Sequence, residues 1–504
     1  MADSAAVAAV ARDAAADPAL GASLLARRVL AGVWRSEDLV IEALARARAA
    51  AQLNAFVTIA EAGALAAAHR IDAEARARRR ACRRSGLPLA GVPVVVKDNI
   101  HVAGLPCTAG TPALGAFVPH ADAPVVARLR AAGAVVIGKT QMHELAFGIS
   151  GWNPSFATGP EPGVRNAYDV RRSAGGSSSG SGAALGARVV GIALGTDTGG
   201  SVRIPGAFNG VAALRPTVGR YPGAGVAPIS CSRDTVGPMA LAVADLALLD
   251  HVIAGGPQPR PAALRKVRLG LVEALVTGLD ADTRVAFDAA LRALRAAGVT
   301  LVEVPMPSLM ALTAASAFPI VIHEAREGMV DYLARHCPGL TLDGLVLAIA
   351  SPDVRSFYLE RVLPGRLPGA ASSASDLRAA YEAALRHGRP ALQRLYADTF
   401  RRQRLDALVF PTVPQVAMRA GADASDPATF AAIIRNTDPG SLAGLPGLQL
   451  PLALGATTGL PIGLALDAPA GSDRRMLALG LAMEALFGRL LPPGRARRKS
   501  VIAG

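Results

Sequence analysis

The chain has 504 residues, 51% of them hydrophobic and 18% charged, which excludes a peptide, a stapled miniprotein and a disordered segment. Lys and Arg number 53 against 39 Asp and Glu, a formal charge of +14. The basic clusters at 76–84, 401–404 and 495–499 sit at segment edges without interleaved aromatics, and aromatics are only 4% of the chain, so a nucleic-acid binder is not expected.

At the N-terminus, Asp3 stands where a secretory signal needs a cation, and Arg12 and Asp13 break the apolar run that follows, so a cytoplasmic protein is expected. Residues 1–81 read as an N-terminal helical arm packing on the core, with Ser36 as an N-cap and Leu39, Val40, Ala43 and Leu44 at helical spacing. From residue 82 to 490 strands and helices alternate. Strands are predicted over 92–96, 134–137, 269–272, 300–304, 408–410, 447–452 and 462–466, and helices over 123–132, 283–297 and 473–487. Residues 173–240 are rich in Gly and Ser yet keep strand-like apolar runs such as 189–194, and helices dominate 308–404. The stretch 305–322 is free of charge but interrupted by Pro307 and Pro319, which argues against a membrane-spanning helix. A single α/β domain with a helical arm and a basic tail over 491–504 is expected. Cys82, Cys107, Cys231 and Cys337 are far apart and form no CxxC pair, so reduced thiols and no zinc site are expected.

Residues 133–140, GAVVIGKT, match the phosphate-loop pattern to the letter. A phosphate loop needs its strand before the first glycine, whereas Ala134, Val135, Val136 and Ile137 are themselves strand-like, so Lys139 reads as a structural or surface cation closing a strand end. Ser178, at the centre of Gly176-Ser177-Ser178-Ser179-Gly180, satisfies the G-x-S-x-G nucleophile elbow, but no strand precedes it and no histidine supports it. Lys97 follows three valines at the end of a core strand, in a chain where only four of the 53 cations are lysines. Lysine, unlike arginine, loses its proton near neutrality once desolvated. In Gly199-Gly200-Ser201 two glycines precede a serine, an arrangement that lets backbone N–H groups converge on an oxyanion.

Taken together, the run ending in Lys97-Asp98, the Gly/Ser run 175–181, and Gly195-Thr196-Asp197-Thr198-Gly199-Gly200-Ser201-Val202-Arg203-Ile204-Pro205 resemble the amidase signature family, and the similarity extends from about residue 39 to 463. The resemblance implies a central mixed, twisted sheet flanked by helices. It also implies a Ser-Ser-Lys triad in which Ser201 is the nucleophile, Ser177 the proton relay and Lys97 the base. By the same resemblance the N–H groups of Thr198, Gly199, Gly200 and Ser201 form the oxyanion hole, while Asp197 and Arg203 support the loop. Two departures stand out: Ser179 replaces a common glycine, and the segment 158–163 is longer than usual.

Residues 108–114, 142–149 and 200–205 resemble indoleacetamide and mandelamide hydrolases within that family. This implies hydrolysis of a small aromatic primary amide, with Phe147, Trp152, Phe156 and Phe318 as candidate pocket residues. The alternatives are the glutamine-hydrolysing A subunit of a tRNA-dependent amidotransferase, and a hydrolase of anilides, esters or carbamates. No metal or organic cofactor is implied. The expected partner is the small amide alone, with neither nucleic acid nor membrane; a homodimer is left open.

Overall fold

The computed structural model describes residues 17, 20–81, 86–157, 161–368 and 374–494. The N-terminal stretch containing Asp3, Arg12 and Asp13, Cys82, residues 158–160 of the longer segment and most of the basic tail lie outside these.

Eleven strands form one mixed sheet: β1 (Phe56–Ile59), β2 (Pro93–Lys97), β3 (Val135–Thr140), β4 (Ile192–Asp197), β5 (Ala212–Arg215), β6 (Thr235–Ala240), β7 (Arg268–Leu271), β8 (Thr300–Glu303), β9 (Ala407–Pro411), β10 (Gly447–Leu454) and β11 (Pro461–Asp467). Their spatial order is β1-β3-β2-β4-β6-β5-β10-β11-β9-β7-β8. Strand β2 runs parallel to both β3 and β4, and β7 runs parallel to β8 and β9; antiparallel pairs join the two parallel blocks. Helices cover both faces, which is why the central strands are apolar without alternation. Val94 and Val96 enter one core cluster, with Ile192 and Leu194 of β4, while Val95 enters the cluster on the opposite face.

The predicted strands and helices lie within a few residues of those observed. Three features differ. Residues 56–59, expected within a helical arm, form edge strand β1 against β3, because Phe56 is drawn into the core. Ser36 does not cap its helix with its side chain; instead the N–H groups of Ser36 and Glu37 donate to the Asp72 carboxylate at 2.7 and 3.2 Å. One helix, Leu309–His336, runs through Pro319 without a break, since Ile320, Ile322 and Ala325 pack it against the core and outweigh the lost hydrogen bond. No helix of the described residues is long and apolar enough to cross a membrane.

Candidate active site

Strand alternation decides where Lys97 points. Two residues beyond Val95, it shares the sheet face covered by helix Ser179–Gly186, whose Ala183, Ala184 and Leu185 join the Val95 cluster. Because β2 and β4 are parallel, Lys97 and Thr196 also reach the same carboxyl edge of the sheet, where ligands bind in open α/β folds.

The Lys97 ammonium is fully buried and donates to the hydroxyls of Ser177 at 2.8 Å and Thr196 at 2.7 Å. Neither partner carries a charge. Burial therefore pushes the amine down to about 7, although Asp197 and then Asp234 pull the other way.

Ser177 precedes the helix by two residues and follows a cis peptide bond from Gly176. Its carbonyl accepts from the His143 N–H at 3.2 Å. The neighbouring Ser178 serves the backbone instead: its hydroxyl donates to the Thr196 carbonyl at 3.1 Å and accepts from the Thr196 N–H at 3.2 Å. Of the two candidate serines, the fold thus gives Ser177 to the lysine. Ser179 is buried, with its hydroxyl donating to the Ser177 carbonyl over a long 3.4 Å.

Ser201 is 8% exposed, against none for Lys97 and Ser177, so of the three it alone borders solvent. The Ser178 N–H donates to the Ser201 carbonyl at 3.0 Å, which brings the two serine loops into contact. The loop itself is organised by Asp197. Its carboxylate accepts from the N–H groups of Gly200 at 2.9 Å and Val202 at 3.2 Å, and from Arg203 through two nitrogens at 3.1 Å each. Arg215 adds a contact at 3.0 Å. Burial alone would raise this carboxyl, but Arg203 and Arg215 outweigh it and hold it well below the ordinary carboxylate range.

The four expected oxyanion-hole donors divide. The Gly200 N–H is already taken by Asp197, the nearest strong acceptor within its own turn. The N–H groups of Thr198, Gly199 and Ser201 donate to no group among the described residues. Gly200 has φ of 137°, and a β-carbon there would collide with the Thr437 hydroxyl, which itself donates to the Gly199 carbonyl at 2.6 Å.

The four aromatic candidates divide. Phe147 packs on Phe357 with ring centroids 5.1 Å apart, and Phe318, 42% exposed, reaches the same Phe357 at 6.4 Å. Trp152 and Phe156 make no ring contact among the described residues. The Trp152 backbone N–H donates to Ser150 Oγ at 3.1 Å, and Trp152 lies against Gly163 of the longer segment, which Glu161 ties to Asn54 and Arg165. Lys139 is fully buried and pairs with Asp98 at 3.0 Å, a structural cation rather than a surface one. A cavity of about 770 Å³ lined by His101, Phe117, His120 and His336 contains none of the triad residues, so volume does not mark the chemistry here.

Sequence reasoning missed Thr196 as the second acceptor on Lys97, Arg215 and Thr437 behind the serine loop, and Phe357 and Tyr358 beside Phe147. Only Thr196 had a local signal, since it lies in the same segment as Ser201.

The amidase family model matches residues 38–477, most of the chain. The chain belongs to the amidase family. It is 43% identical to a mandelamide hydrolase of Pseudomonas putida over 93% of its own length and 91% of the relative's. It is 38% identical to an indoleacetamide hydrolase of Rhizobium radiobacter over 90% of its length and 93% of that protein. The native peptide amidase of Stenotrophomonas maltophilia has the same fold, with a TM-score of 0.75, 30% identity, and coverage of 94% of this chain and 98% of that one. This amidase is therefore a hydrolase of amide carbon–nitrogen bonds, and the large mixed sheet flanked by helices is the family's.

Proposed function

We propose that this amidase hydrolyses small primary amides bearing an aromatic ring, giving the carboxylate and ammonia through an acyl-enzyme on Ser201. The observation that carries the reading is the hydrogen bond from a buried, near-neutral Lys97 to Ser177. A serine hydroxyl attacks only when its proton has somewhere to go. Ser201 Oγ attacks the amide carbonyl while its proton passes to Ser177, whose own proton moves to the uncharged Lys97 amine. The N–H groups of Thr198, Gly199 and Ser201 receive the developing oxyanion. As the carbon–nitrogen bond breaks, Lys97 returns its proton through Ser177 to the leaving nitrogen, which departs as ammonia. Water then attacks the acyl-enzyme, giving its proton by the same route and freeing Ser201.

Support for an aromatic acyl group comes from the Phe147–Phe357–Phe318 ladder and from the two aryl-amide hydrolases among the relatives. The cytoplasm is the proposed setting, supported by unpaired Cys107, Cys231 and Cys337. We also propose that nucleic acid is not a partner. Exposed arginines such as Arg386 and Arg401 are matched by Glu382 and Asp398 on their own helices. Ammonia release from a panel of aliphatic and aromatic primary amides tests the reading, together with mass spectrometry for an acyl adduct. Arylacetamide turnover and an adduct that Ser201→Ala lacks are expected; turnover by Ser201→Ala, or no aryl-amide activity, would overturn it.

A further inference from the structure

The five-residue turn from His143 to Phe147 touches both the candidate relay and the far wall of the aromatic ladder. At one end the His143 N–H donates to the Ser177 carbonyl at 3.2 Å. The His143 ring is fully buried, with Nε2 3.0 Å from Asp353 Oδ2 and Nδ1 3.4 Å from Ser150 Oγ. Asp353 lies in helix Pro352–Phe357, some two hundred residues away in sequence. The next residue, Glu144, is also buried, and its carboxylate accepts from the N–H groups of Ala350 at 3.1 Å and Ser351 at 2.7 Å, immediately before that helix. At the other end of the turn, Phe147 meets Phe357 and Tyr358 at 5.1 and 5.3 Å.

One short turn thus grips residues 350–358 three ways while holding Ser177 by its carbonyl. Its backbone is unusual. Leu145 and Ala146 have φ of 51° and 60°, two consecutive non-glycine residues in the left-handed region, a conformation that persists only when its surroundings over-determine it. Gly148 leaves the slot for the ring, since a β-carbon there would run into the His143 imidazole.

We propose that His143, Glu144 and Asp353 are positioning residues that set the distance between the aromatic wall and Ser177, and so determine selectivity for aryl over small aliphatic amides. The proposal rests on the aryl-amide reading above. A small amide such as acetamide needs only the triad and the oxyanion donors. A ring must also lie on Phe147 and Phe357 while its carbonyl meets Ser201, and misplacement by an ångström is enough to separate the two classes.

The test is the ratio of kcat/KM for phenylacetamide to that for acetamide, in the full-length enzyme and in Asp353→Ala. Asp353 has a partly exposed side chain, and Asp353→Asn, which keeps an acceptor oxygen for His143, serves as the conservative variant. The ratio is expected to fall about fivefold or more in Asp353→Ala, chiefly through the KM for phenylacetamide, and to recover in Asp353→Asn. A purely structural role would lower both substrates together and leave the ratio alone, so a smaller change, or loss without recovery in Asp353→Asn, overturns the proposal. If Asp353→Ala does not fold, judged by circular dichroism, Asp353→Asn together with Phe357→Ala decides: the ratio holds in the first and falls in the second, or the proposal fails. Failure of the underlying reading shows separately, as a wild-type enzyme that does not prefer phenylacetamide.

Discussion

Lys97 Nζ donates to Ser177 Oγ across 2.8 Å with both residues fully buried. Such a lysine has lost its water and gained only neutral acceptors, so the uncharged amine is accessible at physiological pH. A fall from the ordinary value to about 7 corresponds to about 5 kcal/mol between its two protonation states.

Activity should therefore rise with pH. The base works uncharged, so kcat/KM is expected to climb as pH passes upward through about 7 and to level off above it. Stability follows the same group. The unfolded chain keeps the lysine protonated to about pH 10.4, so the penalty for burying it is full below about 7 and relaxes as pH rises between the two values. A pH–rate profile with no limb near 7 would count against Lys97 as the base.

Lys97→Met separates the two consequences. An apolar isostere removes a buried amine, so the variant should unfold at a higher temperature at pH 6, with about 1 to 4 kcal/mol more stability, while losing amide hydrolysis. Calorimetry and an ammonia assay on the same preparation check this; an active or destabilised variant would contradict it.

Ser177→Ala and Ser178→Ala should differ sharply although the residues are adjacent. Only Ser177 touches Lys97, whereas Ser178 bonds the Thr196 backbone. The first is expected to cost about a hundredfold or more in kcat, the second about 1 kcal/mol of stability with modest loss of rate. Equal rate losses would remove Ser177 from the relay.

Asp197→Ala should strand one buried guanidinium and weaken the pairing of another. Arg215 would lose its paired carboxylate and Arg203 would keep only Asp467 at 3.6 Å, at a cost of about 3 to 5 kcal/mol measured by urea denaturation at neutral pH. In the wild type the depressed Asp197 carboxyl contributes stability that is fully present above the ordinary carboxylate value of about 3.9 and is lost only as pH falls below it. Asp197 therefore adds no pH dependence to stability between 5 and 8, and a slope assigned to it in that window would refute the pairing.

Gly200→Ala should abolish most activity, by about a hundredfold or more, because the β-carbon meets Thr437 and φ of 137° disfavours any side chain. Thr437→Ala removes the hydroxyl at the closest approach but leaves its own β-carbon at 2.9 Å and the backbone conformation unchanged. The double variant should thus stay impaired, and full rescue would show that the collision alone matters.

The sheet was largely legible because its central strands are buried on both faces and read as unbroken apolar runs, as in 92–96 and 408–410. Strand β1 was not, because residues 56–59 become a strand only by pairing with β3. Lys97 and Ser201 stood out as residue types whose chemistry needs a special environment, an isolated lysine among arginines and a serine after two glycines, whereas Ser177 was marked only by the family resemblance. That much follows from covalent structure and local preference, and the sequence alone determined it. Tertiary structure decided which neighbouring serine meets the lysine, that Gly200 spends its N–H on Asp197, and that Phe147 faces Phe357 rather than Trp152. Each of these turns on contacts between distant segments or on competition for one hydrogen-bond acceptor, and no local pattern encodes the outcome of either.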